Sequence, residues 1–276
     1  MVASKPLLCP ACNKLISADE PKCPHCGLSA PGSRLKQSLS LKIFKDGSQL
    51  ISVLIGANVI VYILSLIISR RALHISGNPM TFLSPDSQIL LLLGATGTIP
   101  IDRLQHWWTL VSASYLHGSL LHILFNMIAL RQISPLIIGE YGTYRMLVIY
   151  TLSGVGGFLV SYLAGVPVTI GASAAVCGLI GAALYYGKSR GGSYGQAIYR
   201  QVGSWAIGIA LFGILIPGIN NWAHGGGMAA GILLGLALGY QERNRETAVH
   251  RWLGILCFFG TLFVLVWAIF STLVLR

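Results

Sequence analysis

Two short polar clusters in an otherwise apolar chain carry residues that can perform nucleophilic catalysis. Ser173 stands in the segment GASAAVCG and His224 in the segment NWAHGGG, each at the start of an apolar run. A polar group inside an apolar helix costs free energy unless it is paired or functional. An imidazole that accepts a serine proton makes the hydroxyl a nucleophile, and it can later protonate the leaving group. We therefore predict Ser173 as nucleophile and His224 as general base, against the alternative that each only makes structural hydrogen bonds.

A third polar cluster, HGSLLHILFN, opens an earlier apolar run and supplies candidate hydrogen-bond donors. His122 and Asn126 are four residues apart, so they share one face of a helix. Both could donate to an oxyanion. His117 lies more than one turn before His122. A metal site made by His117, His122 and His224 is an alternative, but a carboxylate or a fourth ligand is missing.

Small residues surround these clusters and predict close helix packing. Glycine recurs every fourth residue after His224, at Gly227, Gly231, Gly235 and Gly239. Such a pattern lets two helix backbones approach each other closely in a membrane. We expect Gly171, which precedes Ser173, to serve close packing as well.

The composition excludes most soluble classes of protein. The chain has 276 residues, of which 54% are hydrophobic and 10% charged, whereas soluble domains have roughly 25% charged residues. The net charge is +11, but the basic residues lie in short segments between apolar runs and form no stripe. That distribution fixes the orientation of a membrane protein. We therefore expect a lipid bilayer, and no nucleic acid, as the partner of this charge.

Seven apolar runs predict an all-α polytopic membrane protein, because a spanning helix needs about 20 mostly apolar residues. The runs are Leu50–Ser69, Leu120–Ile138, Met146–Val166, Ile170–Gly187, Val202–Ile219, Trp222–Tyr240 and Trp252–Leu275. Cys177 and Cys257 lie inside such runs, and we expect them to pack as small hydrophobes.

The distribution of lysine and arginine predicts the orientation. With the N-terminus in the cytoplasm, 15 of the 19 basic residues fall on the inner side, as cytoplasmic loops prefer. The C-terminus is then outside, and all three polar clusters lie near the outer ends of their helices. The long outer joint from Arg70 to Ser119 contains the run Ile89–Leu93, which is too short to span and predicts an interfacial or re-entrant element.

Four cysteines near the N-terminus predict a structural zinc site. They form two C-P-x-C segments separated by ten residues, with the candidate ligands Cys9, Cys12, Cys23 and Cys26. Two such turns complete a tetrahedral shell of four thiolates around one zinc ion. Disulfides or a redox dithiol are the alternatives, and a reducing cytoplasm disfavours disulfides. The pattern resembles zinc ribbons at the N-termini of bacterial membrane proteins. A closed site leaves no position for a substrate, so a cytoplasmic docking partner is a hypothesis.

The three clusters together resemble the rhomboid family of intramembrane proteases, over roughly residues 105–240. The family patterns are H-x4-H-x3-N, G-x-S and A-H-x-G-G, in this order, and the chain matches each of them. The resemblance implies a Ser173–His224 dyad without an acidic member and no catalytic cofactor. It implies an oxyanion hole of His122, Asn126 and the Ser173 backbone N–H, with His117 in support. The implied substrates are transmembrane proteins, cleaved in or near a membrane segment.

The cysteine pattern, the composition, the apolar runs and this resemblance together predict the organisation of the chain. We expect a zinc-ribbon-like cytoplasmic segment over residues 1–30, a linker over 31–48 and a rhomboid-like six-helix core over 49–240. A loop and an extra seventh helix then fill residues 241–276. The chain departs from the family where Thr109 follows Trp108 in place of arginine and where Ala174 replaces a common glycine. Arg103 is a candidate for the missing arginine.

Two other functions fit the composition less well. An inactive relative that binds membrane clients typically lacks the serine or the histidine, and this chain has both. A transporter typically shows inverted repeats or interrupted helices in both halves, and neither pattern is visible. The sequence therefore predicts a multi-pass serine endopeptidase of the bacterial inner membrane.

Overall fold

A computed structural model describes residues 6–9, 14–25, 30, 32, 47–69 and 81–274 of the chain. The chain divides into two compact units, residues 1–50 and residues 51–276. The first contains a small β-hairpin, and the second is helical.

The hairpin pairs β1 (Pro6–Leu8) with β2 (Leu15–Ser17) in antiparallel register. The turn between the strands begins with a hydrogen bond of 2.9 Å from the Cys9 backbone N–H to the Lys14 carbonyl. Cys9, Ile16 and Cys23 are buried together in one cluster. The other two predicted zinc ligands, Cys12 and Cys26, lie outside the described residues, as does most of the predicted linker.

Seven long helices in the described part of the chain hold most of each of the seven apolar runs, so the predicted all-α architecture is confirmed. In chain order they are α1 (Gly47–Ile68), α5 (Leu120–Tyr141), α6 (Thr143–Leu163), α7 (Ser173–Arg190), α8 (Gly192–Leu215), α9 (Asn221–Leu238) and α10 (Ala248–Val274). Three short α-helices lie in residues 81–119, the described part of the joint between the first two long ones: α2 (Ser87–Leu92), α3 (Thr98–Leu104) and α4 (Thr109–Ser112).

Five described helices are long and apolar enough to cross a membrane: α1, α5, α6, α8 and α10. The sequence predicts seven spans, and the two that fall short of this apolarity are α7 and α9. Each has only 18 residues. The last turn of α7 carries Lys188 and Arg190 and the first turn of α9 carries Asn221 and His224, which lowers the mean hydropathy of each helix.

Helix α7 is the central element of the bundle. It packs against α5, α6, α8 and α9, and most of its side chains are buried. The contact with α9 brings backbone against backbone. A Cβ on Gly231 would overlap the carbonyl oxygen of Gly178, and a Cβ on Gly227 would overlap that of Ala174. The third glycine of this face, Gly235, packs near Ala182.

The joint before α5 is structured by short helices. The predicted non-spanning run Ile89–Leu93 lies mostly in α2, whose N-terminus is capped by the Asp86 side chain through the N–H groups of Gln88 and Ile89. A 3-10 turn over Ala113–Tyr115 then leads to α5. The backbone of Thr96 pairs with that of Thr169, which joins this segment to the chain just before α7.

The extra helix α10 packs along α6 and also contacts α2 and α4. At its start, the Glu246 carboxylate accepts hydrogen bonds from the backbone N–H groups of Tyr144 and Arg145, at 2.9 and 3.0 Å. These groups belong to the first turn of α6, where N–H donors have no partner within the helix. Glu246 therefore fastens the segment before α10 to the start of α6.

Candidate active site

Ser173 and His224 meet across the first turns of two helices. Ser173 is the first residue of α7 and His224 lies in the first turn of α9. The Nε2 atom of His224 is 2.8 Å from the Ser173 hydroxyl oxygen, a normal hydrogen-bond length. Both side chains are half-buried. Among the described residues, the buried Nδ1 of His224 has no hydrogen-bond partner, so the pair has no third, acidic member there.

The local sequence explains why these two turns come together. Glycines on α7 and α9 let the two backbones touch one and two turns below the pair. The start of α9 is fixed by Asn220, whose side-chain oxygen accepts a 3.1 Å hydrogen bond from the Ala223 N–H. The start of α7 has no side-chain cap. Its first backbone N–H groups therefore point out of the helix without an intrahelical partner.

His122 lies beside the segment that leads to Ser173. Its Nδ1 accepts a 3.3 Å hydrogen bond from the Gly118 backbone N–H. A neutral imidazole that accepts at Nδ1 carries its proton on Nε2, so Nε2 is a donor. Gly171 has φ of +122°, and a Cβ there would lie 2.6 Å from His122 Nε2. Gly171 thus differs from the expected helix-packing role, because its missing side chain makes room for the imidazole.

Asn126 is buried one turn after His122 on α5. Its amide nitrogen donates a 2.8 Å hydrogen bond to the His122 carbonyl. A side-chain amide has two N–H donors, so one of them is left for another acceptor. The predicted pair thus shares one helix face, with the Asn126 amide attached to the backbone of His122.

His117 is fully buried against His122. The ring centroids are 5.0 Å apart and the rings meet edge to face at 67°, an arrangement that aromatic pairs prefer. Within the described part of the chain, no three histidine, cysteine or acidic side chains group as metal ligands would. The alternative of a metal site at His117, His122 and His224 therefore finds no support in the described residues.

The two departures from the family pattern are accommodated locally. Thr109 is fully buried, its hydroxyl donates a 2.6 Å hydrogen bond to the His106 carbonyl, and the same oxygen lies 3.0 Å from Thr96 Oγ1. Arg103, considered as a substitute, is exposed. Ala174 is fully buried, with its methyl group against Gly157 and its carbonyl against Gly227.

Several residues around the pair were missed by sequence reasoning. Asn220 bridges Ser161 and Thr169, and Thr169 in turn pairs with Thr96. These are short polar residues in joints or at helix ends, where such residues are common. Only the polarity of Ser161 inside an apolar run could have signalled a role.

Comparison with known proteins assigns the same region to one family. The model of the rhomboid domain matches residues 104–241. Among curated proteins, RHOMBOID-like protein 4 of Arabidopsis thaliana is 34% identical over 163 residues, which cover 58% of this chain and 41% of that protein. The rhomboid protease GluP of Bacillus subtilis (strain 168) is 30% identical over 163 residues, covering 58% and 31%. Rhomboid-like protease 5 of Toxoplasma gondii is 29% identical over 182 residues, covering 64% and 21%.

These matches extend over less than half the length of each of the three relatives. The domain match nevertheless includes half of this chain and all of the Ser173–His224 site. Five described helices able to cross a bilayer agree with an integral membrane protein. With half of the sequence matched and the three polar clusters gathered at one end of the helical bundle, this chain belongs to the rhomboid family.

Proposed function

We propose that this protein is an intramembrane serine endopeptidase that cleaves other membrane proteins in or near their transmembrane segments. The observation that carries the proposal is the 2.8 Å contact between Ser173 Oγ and His224 Nε2. Protease-named relatives in Bacillus subtilis and Toxoplasma gondii support it. A general base must lie within about 2.6–3.2 Å of the atom that carries the proton to be removed, and His224 Nε2 meets this condition for Ser173 Oγ.

The first half of the reaction forms an acyl-enzyme. The Ser173 oxygen attacks the carbonyl carbon of the scissile peptide bond while its proton passes to His224 Nε2. The resulting tetrahedral intermediate carries a negative charge on the former carbonyl oxygen. It collapses when the bond from carbon to nitrogen breaks and His224 returns the proton to the leaving amine, so that the Ser173 oxygen carries the acyl group.

Donors on two helices surround the position of that negative charge. The Ser173 backbone N–H lies at the uncapped start of α7, where the helix dipole also favours an anion. The Nε2–H of His122 and the second amide hydrogen of Asn126 complete the proposed oxyanion hole. Removing one such donor costs about 100- to 1,000-fold in kcat in other serine proteases. His117 holds the His122 ring and does not react.

The second half of the reaction hydrolyses the acyl-enzyme. A water molecule gives a proton to His224 Nε2 and attacks the ester carbon, and the same oxyanion donors act again. His224 then returns the proton to the Ser173 oxygen as the carboxylic acid leaves. No catalytic cofactor is needed, because every proton has a donor and an acceptor within the dyad, the substrate and water.

The proposed orientation follows from charge. Lysine and arginine prefer the cytoplasmic side. We therefore propose that the protein lies in a bacterial inner membrane with its N-terminus in the cytoplasm and its C-terminus outside. The Ser173 end of the bundle then faces the outer side. Substrates would be transmembrane proteins that present a peptide bond at this depth.

A structural zinc ion is proposed for the N-terminal unit. Cys9 and Cys23 are almost fully buried, at 0% and 2% exposure, in one cluster with Ile16. Two buried cysteines that lie close together fit half of a four-cysteine site. The ion would be held with Cys12 and Cys26 and would stabilise this small unit, which could then dock a cytoplasmic partner.

Reconstitution in liposomes with a single-span reporter protein tests the proposed activity. We expect the wild type to cleave the reporter, and we expect Ser173→Ala and His224→Ala to abolish cleavage while melting at the wild-type temperature. Cleavage that persists in Ser173→Ala would overturn the mechanism. Absence of cleavage with several reporters would favour the alternative of an inactive client-binding protein, which the intact dyad opposes.

A further inference from the structure

Asn220 is the residue immediately before α9 and four positions before His224. Its side chain touches three separate segments of the chain. The amide nitrogen donates to Ser161 Oγ on α6 at 2.6 Å and to Thr169 Oγ1 at 2.9 Å. The amide oxygen accepts from the Ala223 N–H at 3.1 Å. Because an N–H group can only donate, the Ala223 contact fixes which side of the amide faces the two hydroxyls.

Thr169 lies four positions before Ser173, just as Asn220 lies four positions before His224. Its backbone forms two hydrogen bonds with Thr96, of 2.7 and 3.1 Å. Two residues later, the Gly171 N–H donates to the Ala113 carbonyl at 2.8 Å. The segment that leads to Ser173 is therefore fixed by its backbone on one side, and the Thr169 hydroxyl contacts Asn220 on the other.

The bond between Asn220 and Thr169 thus joins the segment before the nucleophile to the helical turn that bears the base. The backbone strengthens this link, because the Asn220 carbonyl accepts from the His224 N–H at 3.2 Å. Ser161 is fully buried and Thr169 is 8% exposed. Polar groups that are buried this well are costly to leave unpaired, so the three side chains favour one arrangement.

We infer that Asn220 is a positioning residue, which sets the separation of Ser173 and His224 through Thr169 and Ala223. This inference rests on the proposed function and extends it to residues that never touch the substrate. A misplacement of about 1 Å can lower a rate by about 100-fold. The bond therefore acts on the rate of acylation, whereas it has no direct effect on substrate binding.

The test combines Asn220→Ala and Thr169→Val, singly and together, in the full-length protein in liposomes. The readouts are kcat and KM for a reporter, the rate of Ser173 labelling by a fluorophosphonate, and the melting temperature. We expect each single variant to lower kcat and the labelling rate about 10- to 100-fold, with KM changed less than about 3-fold. Because both remove one shared bond, the double variant is expected to be no slower than the slower single variant.

Two further variants separate positioning from folding. Thr169→Ser retains the hydroxyl and is expected to recover most of the rate that Thr169→Val loses. Thr272→Val removes a buried hydroxyl whose hydrogen bond, within the described residues, is made inside α10 to the Ala268 carbonyl at 2.7 Å, and it is expected to leave kcat unchanged. If Asn220→Ala fails to fold, the comparison of Thr169→Val with Thr169→Ser still tests whether the hydroxyl that bonds Asn220 affects kcat.

The outcomes distinguish this inference from the proposed function. An active wild type whose Asn220→Ala and Thr169→Val variants keep kcat within about 3-fold would overturn the positioning role alone. The positioning role would also be overturned if the fold losses in kcat of the two single variants multiplied in the double variant, because the effects of independent sites are additive in free energy. A wild type that shows neither cleavage nor labelling of Ser173 would overturn the proposed function and this inference with it.

Discussion

The imidazole Nε2 of His224 lies 2.8 Å from the hydroxyl oxygen of Ser173, although 51 residues separate them in the chain. The contact depends on two helices that approach without intervening side chains. Glycines on α7 and α9 face each other's backbone, and each helix places its reactive residue in the first turn. The chemistry proposed for this pair therefore depends on small residues as much as on polar ones.

Gly231→Ala tests this close packing. A Cβ there would overlap the Gly178 carbonyl oxygen, so we expect α9 to shift away from α7. Overpacking of this kind costs about 1–3 kcal/mol, and we expect a lower melting temperature together with slower reporter cleavage. Gly260→Ala on α10 is the matched control, because a Cβ there has no atom within 4 Å. Equal melting temperatures for the two variants would contradict the packing account.

Gly171→Ala tests the space beside His122. The new methyl group would lie 2.6 Å from Nε2 and at a φ of +122°, so we expect it to displace the imidazole and lower kcat by about 100-fold, as for loss of an oxyanion donor. Gly165→Ala provides the comparison. Its φ is +78° but a Cβ there meets nothing within 4 Å, so it carries only the backbone strain. Similar kcat values for both variants would mean that contact with His122 is unimportant.

Glu246 gives the extra helix a pH-dependent attachment. Burial raises the pKa of this carboxyl above its ordinary value, partly offset by the hydrogen bonds from Arg145 and Tyr144. A raised pKa in the folded state means that the stability due to this group is full below its ordinary pKa of about 4.3. That stability is lost as the pH rises through the raised value.

In the Glu246→Gln variant the side chain cannot ionise, but it keeps an oxygen that can accept hydrogen bonds from the backbone N–H groups at the start of α6. We therefore expect the melting temperature of the wild type to fall relative to this variant as the pH is raised from about 4, near the ordinary carboxyl pKa, to about 7. Melting curves of both proteins at a series of pH values check this. Parallel curves over this range would show that the carboxyl does not titrate with folding.

The zinc proposal predicts a defined metal content. We expect about one zinc ion per purified chain, and much less in Cys9→Ser and Cys23→Ser, because a structural zinc site needs all four ligands. Cys257→Ser on α10 removes a thiol from the membrane region and should retain the metal. Elemental analysis of the purified proteins measures this. Full zinc content in Cys9→Ser would exclude Cys9 as a ligand.

The helices could be predicted from sequence because an apolar run that is long enough to cross a membrane rarely forms any other structure. The contact between Ser173 and His224 could be predicted because serine and histidine stand out in such runs, and the rhomboid motifs give them an order. The role of Gly171 was misjudged, since a glycine spacing pattern cannot distinguish contact with a helix from contact with an imidazole. Asn220 and Thr169 gave no signal, because a polar residue in a joint is ordinary until the fold places its partner opposite.

Which of the helices are apolar enough to cross a membrane was harder to predict than the helices themselves. Helices α7 and α9 each have only 18 residues, with polar residues at their ends, and most side chains of α7 are covered by neighbouring helices. Their polar residues are tolerated since helix contacts and hydrogen bonds replace water.

The most direct test of the central claim is the site at which a fluorophosphonate probe attaches to the protein in liposomes. Such a probe reacts by preference with an activated serine, so peptide mass spectrometry identifies the nucleophile without a known substrate. The account predicts a single adduct on Ser173, lost in Ser173→Ala and strongly slowed in His224→Ala. An adduct on another serine, or labelling of Ser173 at the same rate in His224→Ala, would contradict it.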